Sequence, residues 1–314
     1  MKVLITGVSG FVGANLARFL LKKNLEVHGT IRPNSSSLWR IEDIKNKIKL
    51  HVCDLTDKET VFRLMQEIKP KAVFHLAVYG AYPTQKDYEK ILGTSIPSTL
   101  HLLQASKESG VEKFVNIGSS SEYGTKNHPM VESEILEPNS IYAVAKSAQT
   151  HLCDYYSQKE GLPTVTMRLF SVYGPFEEPG RLFPTNILNC LNNIDMPLSD
   201  PKIARDFIYV DDVCNALYLA SKNKKVSGIF NLGSGKQRTL KNVFDEVKKQ
   251  TKSKSRAIIG GYEQRSFDTN IWVANMKKTN KLLSFKPKYN FSEGIKKTVE
   301  WFRKNKKLYD KKND

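Results

Sequence analysis

Short apolar runs alternate with amphipathic stretches through the first two thirds of the chain. The apolar run at residues 3–6 leads into a glycine-containing turn, and then Phe11, Leu16, Phe19 and Leu20 repeat with the period of a helix. Further strand-like runs lie at residues 26–31, 50–52, 71–76, 113–118 and 164–170. Strands that alternate with helices build a parallel sheet with helices on both faces. The pattern therefore predicts an α/β fold with a doubly wound parallel sheet.

The alternation ends after Phe170. Five prolines interrupt the segment from residue 175 to residue 201, and a strand-like run at 228–232 precedes a helical, lysine-rich C-terminal third. We therefore expect a larger lobe at residues 1–170, to which segments near 205–232 return. A smaller, mixed α/β substrate lobe is expected mainly from residues 171–314.

The composition is typical of a globular protein. A chain of 314 residues that is 40% hydrophobic can bury a full core, and it contains no apolar run of the roughly 20 residues that span a bilayer. The N-terminus enters a strand directly, without the pattern of a signal peptide. We expect a cytoplasmic protein with no membrane partner.

The formal net charge is +17, and an excess of lysine and arginine is typical of proteins that bind the phosphates of nucleic acids. The lysines are scattered along helix faces and concentrated near the C-terminus, so we predict no nucleic-acid site and regard an anionic small substrate as the better match. The four cysteines, Cys53, Cys153, Cys190 and Cys214, match no metal or redox spacing. Neither a metal nor a disulfide is expected.

A glycine pattern lies between the first strand and the first helix. Gly7, Gly10 and Gly13 form G-x-x-G-x-x-G, which lets the backbone turn sharply and approach a pyrophosphate, while the helix N-terminus presents N–H groups to the anion. The strand-turn-helix context is the one that this motif requires. The sequence therefore predicts a dinucleotide site.

The end of the second strand bears on the choice of cofactor. An acidic residue there would bind the adenosine ribose of NAD and repel a 2′-phosphate, whereas this chain has Arg32 followed by serines at 35–37. The pattern favours NADP(H), and NAD(H) is the alternative if Arg32 points to solvent. Asp54 is a candidate acceptor for the adenine amine, or simply the first residue of a loop.

A tyrosine and a lysine lie four residues apart on a predicted helix. Tyr142 and Lys146 then point the same way. A free phenol has a pKa of about 10, so acid/base work needs a neighbouring cation that favours the phenolate. The spacing alone is common on ordinary helices, so the prediction depends on the surrounding motifs.

Five motifs occur in a fixed order along nearly the whole chain. They are the glycine loop, His-Leu-Ala at 75–77, a serine run at 119–121, the Tyr-x-x-x-Lys pair and Arg-Asp-Phe-Ile-Tyr-Val-Asp-Asp at 205–212. In this order they resemble the extended short-chain dehydrogenase/reductases, and more narrowly the NAD(P)-dependent epimerase/dehydratase group that modifies nucleotide sugars. The resemblance implies a Rossmann lobe, a nucleotide-diphosphate-sugar substrate and a homodimer formed through a four-helix bundle.

The resemblance also implies roles for individual residues. Tyr142 is the acid/base, Lys146 binds ribose and stabilises the phenolate, and Ser119 donates a hydrogen bond to the sugar oxygen, with Ser120 as the alternative. The predicted cofactor-binding residues are Gly7, Gly10, Phe11, Val12, Gly13, Arg32, Asp54, Leu55, Leu76, Ala77 and Lys146. The predicted substrate-binding residues are Tyr79, Ser119, Ser171, Arg205 and Arg265.

Two of the predicted substrate-binding residues, Arg205 and Ser171, have a second feature that bears on their role. Arg205 and Arg265 are assigned to the substrate pyrophosphate because a guanidinium binds two oxygens at once, but Arg205 has an alternative role as a structural partner of Asp206 or Asp211. Ser171 occupies a position where many members of the group carry an asparagine.

The serine run also bears on the type of reaction. Sugar-nucleotide dehydratases carry an acidic residue where this chain has Ser121, and strict strand alternation would place the Glu122 carboxylate on the opposite side. The motifs are similar to those of GDP-4-keto-6-deoxymannose reductases and CDP-abequose synthase. We therefore predict reduction of a nucleotide-linked 4-keto-6-deoxy sugar at C4. The alternative is a 4-epimerase with bound NAD, and less favoured are a 4,6-dehydratase and a cofactor-sensing or nucleic-acid-binding protein.

Overall fold

The computed structural model describes residues 1–33, 38–81, 85–261 and 268–310. The strands are β1 (Lys2–Thr6), β2 (Glu26–Ile31), β3 (Lys49–Val52), β4 (Ala72–His75), β5 (Lys113–Ser119), β6 (Thr164–Leu169), β7 (Ser171–Tyr173), β8 (Met196–Leu198), β9 (Ala204–Tyr209), β10 (Gly228–Leu232), β11 (Gln237–Thr239) and β12 (Ala257–Ile259).

The α-helices are α1 (Phe11–Leu21), α2 (Lys58–Ile68), α3 (Tyr88–Glu108), α4 (Ile141–Lys159), α5 (Leu182–Leu191), α6 (Val210–Lys222), α7 (Leu240–Thr251), α8 (Lys277–Leu283), α9 (Phe291–Asn305) and α10 (Lys307–Asp310). Two 3-10 helices span Glu42–Lys47 and Ser120–Tyr123.

Seven parallel strands form the main sheet, in the order β10-β6-β5-β4-β1-β2-β3. The chain order reverses between β1 and β4, which creates a crevice at the carboxyl ends of the strands where doubly wound sheets bind ligands. The predicted α/β fold with a Rossmann-like doubly wound sheet is confirmed. Strand β10 lies beside β6, so a segment from late in the chain completes the sheet.

The core lies on both faces of this sheet because successive side chains of a strand point in opposite directions. Leu4, Val73 and Phe114 pack on one face with apolar residues of α2, α3 and α4. Val3 and Phe74 belong to the other cluster, which includes residues of α1 and α6. Both faces of the sheet are covered, as expected of a parallel sheet.

Two small sheets follow the main one. Strand β9 pairs with β7 in parallel and with β11 in antiparallel orientation, and β12 pairs with β8. All four cysteines are buried free thiols. Within the described ranges, no helix is both long enough and apolar enough to cross a bilayer.

Candidate active site

The glycine loop has the shape that a bound dinucleotide requires. Gly7 has a φ of +70°, and a Cβ there would lie 2.9 Å from the Ala77 amide nitrogen. A Cβ at Gly13 would lie 2.2 Å from the Gly7 carbonyl oxygen. Helix α1 follows Gly10, and within the described residues no side chain caps its first turn. These residues fit a dinucleotide, because the first N–H groups of α1 lack intrahelical acceptors and can bind a pyrophosphate, whereas the Gly10 amide donates to the Gly7 carbonyl within the turn.

Thr6 and His75 fix the adjacent strand ends. The Thr6 hydroxyl lies 2.8 Å from Nδ1 of His75 and accepts hydrogen bonds from the amides of Leu76 and Ala77. Burial lowers the pKa of His75 to about 3, so the ring is neutral. Leu76 and Ala77 therefore sit on a rigid edge beside Gly7, where the sequence predicted cofactor contacts.

The predicted adenosine-side residues lie at the carboxyl ends of β2 and β3. Arg32 is exposed directly after β2. Asp54 is exposed, and its Oδ1 accepts hydrogen bonds from the amide and hydroxyl of Thr56, which is the geometry of a loop start. Leu55 is buried in the core. The serines at 35–37 lie outside the described residues.

Ser119 is the serine that contacts Tyr142. A side-chain hydrogen bond between them lowers the pKa of the phenol, as does the charge of Arg181, but burial raises it more and the net shift is upward. The Ser119 hydroxyl also lies 2.5 Å from that of Ser121. The chain therefore brings a serine donor and a tyrosine acid together at the end of β5.

Ser120, the alternative catalytic serine, has a different environment. Its side chain is buried, and its hydroxyl accepts a hydrogen bond of 3.0 Å from the Trp272 indole nitrogen. This contact joins the serine run to the segment that follows α7. The geometry favours Ser119 for catalysis and Ser120 for structure.

Lys146 lies one helical turn beyond Tyr142 and is buried. Its ammonium donates a hydrogen bond of 2.8 Å to the Ile117 carbonyl in β5, and burial lowers its pKa to about 8. The sequence predicted that the lysine would lower the pKa of the tyrosine. In the structure the Tyr142 pKa is instead raised, and the groups that oppose this rise are Ser119 and Arg181.

Glu122 does not follow the strand alternation that was assumed for the serine run. Residues Ser120–Tyr123 form a 3-10 turn, so strict strand alternation does not apply to Glu122. Its carboxylate is fully buried, accepts from the Ser119 amide, and forms an ion pair with Arg168. Sequence reasoning missed Arg168 and Thr150 as partners, although Thr150 follows Tyr142 and Lys146 at the same spacing of four.

Arg205 is bound to a partner that the sequence did not predict. Its guanidinium contacts Asp268 at 2.8 Å, so the expectation that its structural partner would be Asp206 or Asp211 is wrong. Asp206 instead accepts hydrogen bonds from the amides of Ser234, Gly235 and Ala274. The side chain of Asp206 lies on the opposite face of β9 from that of Arg205, because successive side chains of a strand alternate between faces.

Two further predicted substrate residues lie in separate parts of the fold. Ser171 begins β7, and Tyr79 lies after β4 with the Lys90 ammonium over its ring. Arg265 lies outside the described residues. Sequence reasoning gave no chemistry to Glu177, which is buried with Oε2 lacking a hydrogen-bond partner in the described part of the chain, and whose pKa is raised to about 8 by burial.

Fold and site together define a dinucleotide-binding α/β enzyme of the short-chain dehydrogenase/reductase type. The model of the NAD dependent epimerase/dehydratase family matches residues 3–233, and the chain belongs to that family. UDP-glucuronate 4-epimerase of Thermodesulfobacterium geofontis is 30% identical, over 97% of each chain. dTDP-glucose 4,6-dehydratase 1 of Escherichia coli is 27% identical, over 99% of this chain and 95% of its own.

A solved structure agrees with these sequence relatives. The UDP-glucose 4-epimerase of Thermus thermophilus in complex with NAD superposes with a TM-score of 0.85 and 29% identity, over 96% of this chain and 99% of its own.

Proposed function

We propose that this chain catalyses hydride exchange at C4 of a nucleotide-diphosphate sugar with a nicotinamide cofactor. The observation that carries the proposal is that the fold brings Ser119, at the carboxyl end of β5, next to Tyr142 and the buried Lys146, whose ammonium binds the Ile117 carbonyl of the same strand. Tyrosine acids act on a hydroxyl or carbonyl oxygen, and a serine donor beside them polarises the same atom. The relatives are named for reactions of UDP- and dTDP-sugars.

The chain's own residues would perform the proton chemistry. Ser119 donates a hydrogen bond to the sugar oxygen O4, and Tyr142 transfers its phenolic proton to that oxygen. Lys146 would bind the nicotinamide ribose, while Ser119 and Arg181, which oppose the rise in the Tyr142 pKa, would stabilise the phenolate that remains. The bound NAD(P)H supplies the hydride that reduces C4. The glycine loop and the start of α1 hold the pyrophosphate.

We favour the reductive direction, on a 4-keto-6-deoxy sugar with NADPH. Arg32 lies exposed after β2, where a cation complements a 2′-phosphate. Ser121 stands where a dehydratase would need a carboxylate, and Glu122 next to it is held by Arg168. A carboxylate in an ion pair is a poor proton acceptor for water elimination.

A 4-epimerase with bound NAD is the second candidate. The UDP-glucuronate 4-epimerase at 30% identity and the NAD complex of the Thermus epimerase favour it. An epimerase uses the same serine, tyrosine and lysine but returns the hydride to the sugar, so no net cofactor is consumed.

One experiment separates the candidates. The purified protein is incubated with UDP-, GDP-, CDP- and dTDP-sugars and with their 4-keto-6-deoxy forms, while the absorbance of NADPH and NADH is followed. Stoichiometric loss of NADPH with a keto sugar supports the reductase. Sugar interconversion without net cofactor loss supports the epimerase, and no turnover with any sugar overturns both.

We also propose that the chain forms a homodimer through α3 and α4. The two helices pack together, and Tyr88, Val144 and Tyr155 expose large apolar side chains on them. Sedimentation of the wild type and of Tyr155→Glu tests this, because a charge in the interface should shift the protein towards the monomer.

A further inference from the structure

The carboxylate of Glu122 is bound from three directions. Its Oε1 accepts a hydrogen bond of 2.7 Å from the Ser119 amide, and its Oε2 accepts from the Thr150 hydroxyl at 2.9 Å and from Nε of Arg168 at 2.8 Å. Glu122 and Arg168 are almost wholly buried. A buried carboxylate with three donors is held in one position.

The three donors belong to three elements that build the candidate site. Ser119 ends β5, Arg168 lies in β6, and Thr150 lies in α4. Tyr142, Lys146 and Thr150 follow each other at intervals of four, so they share one face of α4. Glu122 therefore ties the backbone of Ser119 to the helix face that carries the tyrosine and the lysine.

The pair of Glu122 and Arg168 is ionic. Burial raises the pKa of Glu122, and Arg168, Ser119 and Thr150 oppose that rise. A guanidinium keeps its proton at any ordinary pH, so a neutral Glu122 would leave Arg168 as a buried, uncompensated cation. The contact with the guanidinium therefore keeps the carboxylate charged.

The same negative charge acts on the candidate catalytic groups. It raises the pKa of Lys146, against the effect of burial, and also raises that of Tyr142. The titratable and charged groups that face Glu122 or Lys146 from neighbouring elements are Arg168, Tyr123, Tyr142, Cys153 and His75. Arg168 is already paired with Glu122, and His75 is neutral.

We propose that Glu122 is a positioning residue for the C4 chemistry, which fixes the backbone of Ser119 against the face of α4 that carries Tyr142 and Lys146 and places a buried negative charge beside that face. This proposal rests on the proposed function for its effect on turnover. Its effect on Lys146 exists in the protein without substrate. The two parts are therefore measured separately.

The first measurement uses Glu122→Gln and, as a matched control, Thr150→Val. Both variants weaken one hydrogen bond of the cluster, but only the first removes the charge. For Glu122→Gln we expect kcat to fall about 10- to 100-fold with KM within about threefold, because a displaced donor costs rate more than binding. The alkaline limb of its pH profile should move down by about half a pH unit or more, since both Lys146 and Tyr142 lose their proton more easily. Thr150→Val should keep the wild-type profile.

The second measurement needs no substrate. The rate at which acetic anhydride labels Lys146 is followed by mass spectrometry between pH 6 and pH 10, and its midpoint should be lower in Glu122→Gln than in wild type and Thr150→Val. If Glu122→Gln does not fold, Glu122→Gln/Arg168→Met removes both charges, and since the loss of the cation partly offsets the loss of the anion, the midpoint should move in the same direction by a smaller amount. Coincident labelling curves for the charge variant and the wild type would overturn the inference. Absence of turnover by the wild type would instead contradict the proposed function.

Discussion

The ammonium of Lys146 donates a hydrogen bond to the carbonyl oxygen of Ile117, and the two atoms lie 2.8 Å apart. The contact anchors α4 to the middle of the sheet and buries a charge that the unfolded chain would leave in water. Because burial lowers the pKa of this lysine to about 8, the charged form costs stability. The residue assigned to ribose binding is thus a destabilising one.

Replacement of Lys146 by methionine should therefore stabilise the cofactor-free protein while it abolishes turnover. The folded pKa of about 8 lies below the ordinary 10.5, so the cost is full below pH 8 and disappears as pH rises towards 10.5. We expect a gain of about 1–2 kcal/mol at pH 7, reduced by the unpaired Ile117 carbonyl. Urea unfolding at pH 7 and pH 10 checks this, and an equal effect at both pH values would contradict it.

Tyr142→Phe should lower kcat by about 100-fold or more, since it removes the proton donor and leaves the ring in place. Tyr218→Phe on α6 is the control, because that helix carries none of the residues assigned to the site or to the dimer interface. Steady-state assays with the substrate found in the sugar panel provide the measurement. Retention of more than a few per cent of turnover would show that Tyr142 is not the acid.

The two serines should respond differently to alanine. Ser119→Ala should lower kcat about 10- to 100-fold, because its hydroxyl contacts Tyr142, and should cost about 1 kcal/mol of stability, because the same hydroxyl caps the 3-10 turn. Ser120→Ala leaves the Trp272 indole without its acceptor and should cost about 1–3 kcal/mol of stability. Kinetics and thermal unfolding of both variants test the assignment, and the reverse pattern would exchange their roles.

Glu177→Gln should stabilise the protein with a pH dependence opposite to that of Lys146→Met. The pKa of Glu177 is raised from 4.5 to about 8, so its ionisation opposes folding from about pH 4.5 upward and reaches full effect near pH 8. The amide should gain about 1–3 kcal/mol at pH 8 and nothing at pH 4.5. The neighbouring Glu178, paired with Arg40, is the control, and Glu178→Gln should destabilise instead.

Arg32→Ala tests the cofactor preference. If Arg32 binds the 2′-phosphate, the variant should raise KM for NADPH by about 10-fold or more and change that for NADH little. Arg303→Ala is the control, because that guanidinium contacts the carbonyls of Gln250 and Thr251 at the end of α7. Equal changes for both cofactors would mean that Arg32 does not select NADP.

Much of the main sheet was predictable from the sequence. The predicted strand at residues 26–31 matches β2, and the runs at 113–118 and 164–170 match β5 and β6 to within one residue. These strands are predictable because each is a short run that contains apolar and β-branched residues and alternates with a helical stretch. The 3-10 turn at Ser120–Tyr123 was not predicted, since polar residues with a capping pattern carry no strand or helix period.

The local spacing of the candidate site residues follows from the sequence alone. The glycine spacing, the Tyr142–Lys146 interval and the serine run depend on contacts within a few residues, and such contacts are written directly into the chain. The partners of long-range contacts cannot be read from the chain in this way. Trp272 reaches Ser120 across 152 residues, and Arg205 reaches Asp268 across 63. Only the packing of the folded chain decides which of many possible donors and acceptors meet. In this packing Glu122, which strand alternation would place on the opposite side, is the centre of an ion-paired cluster.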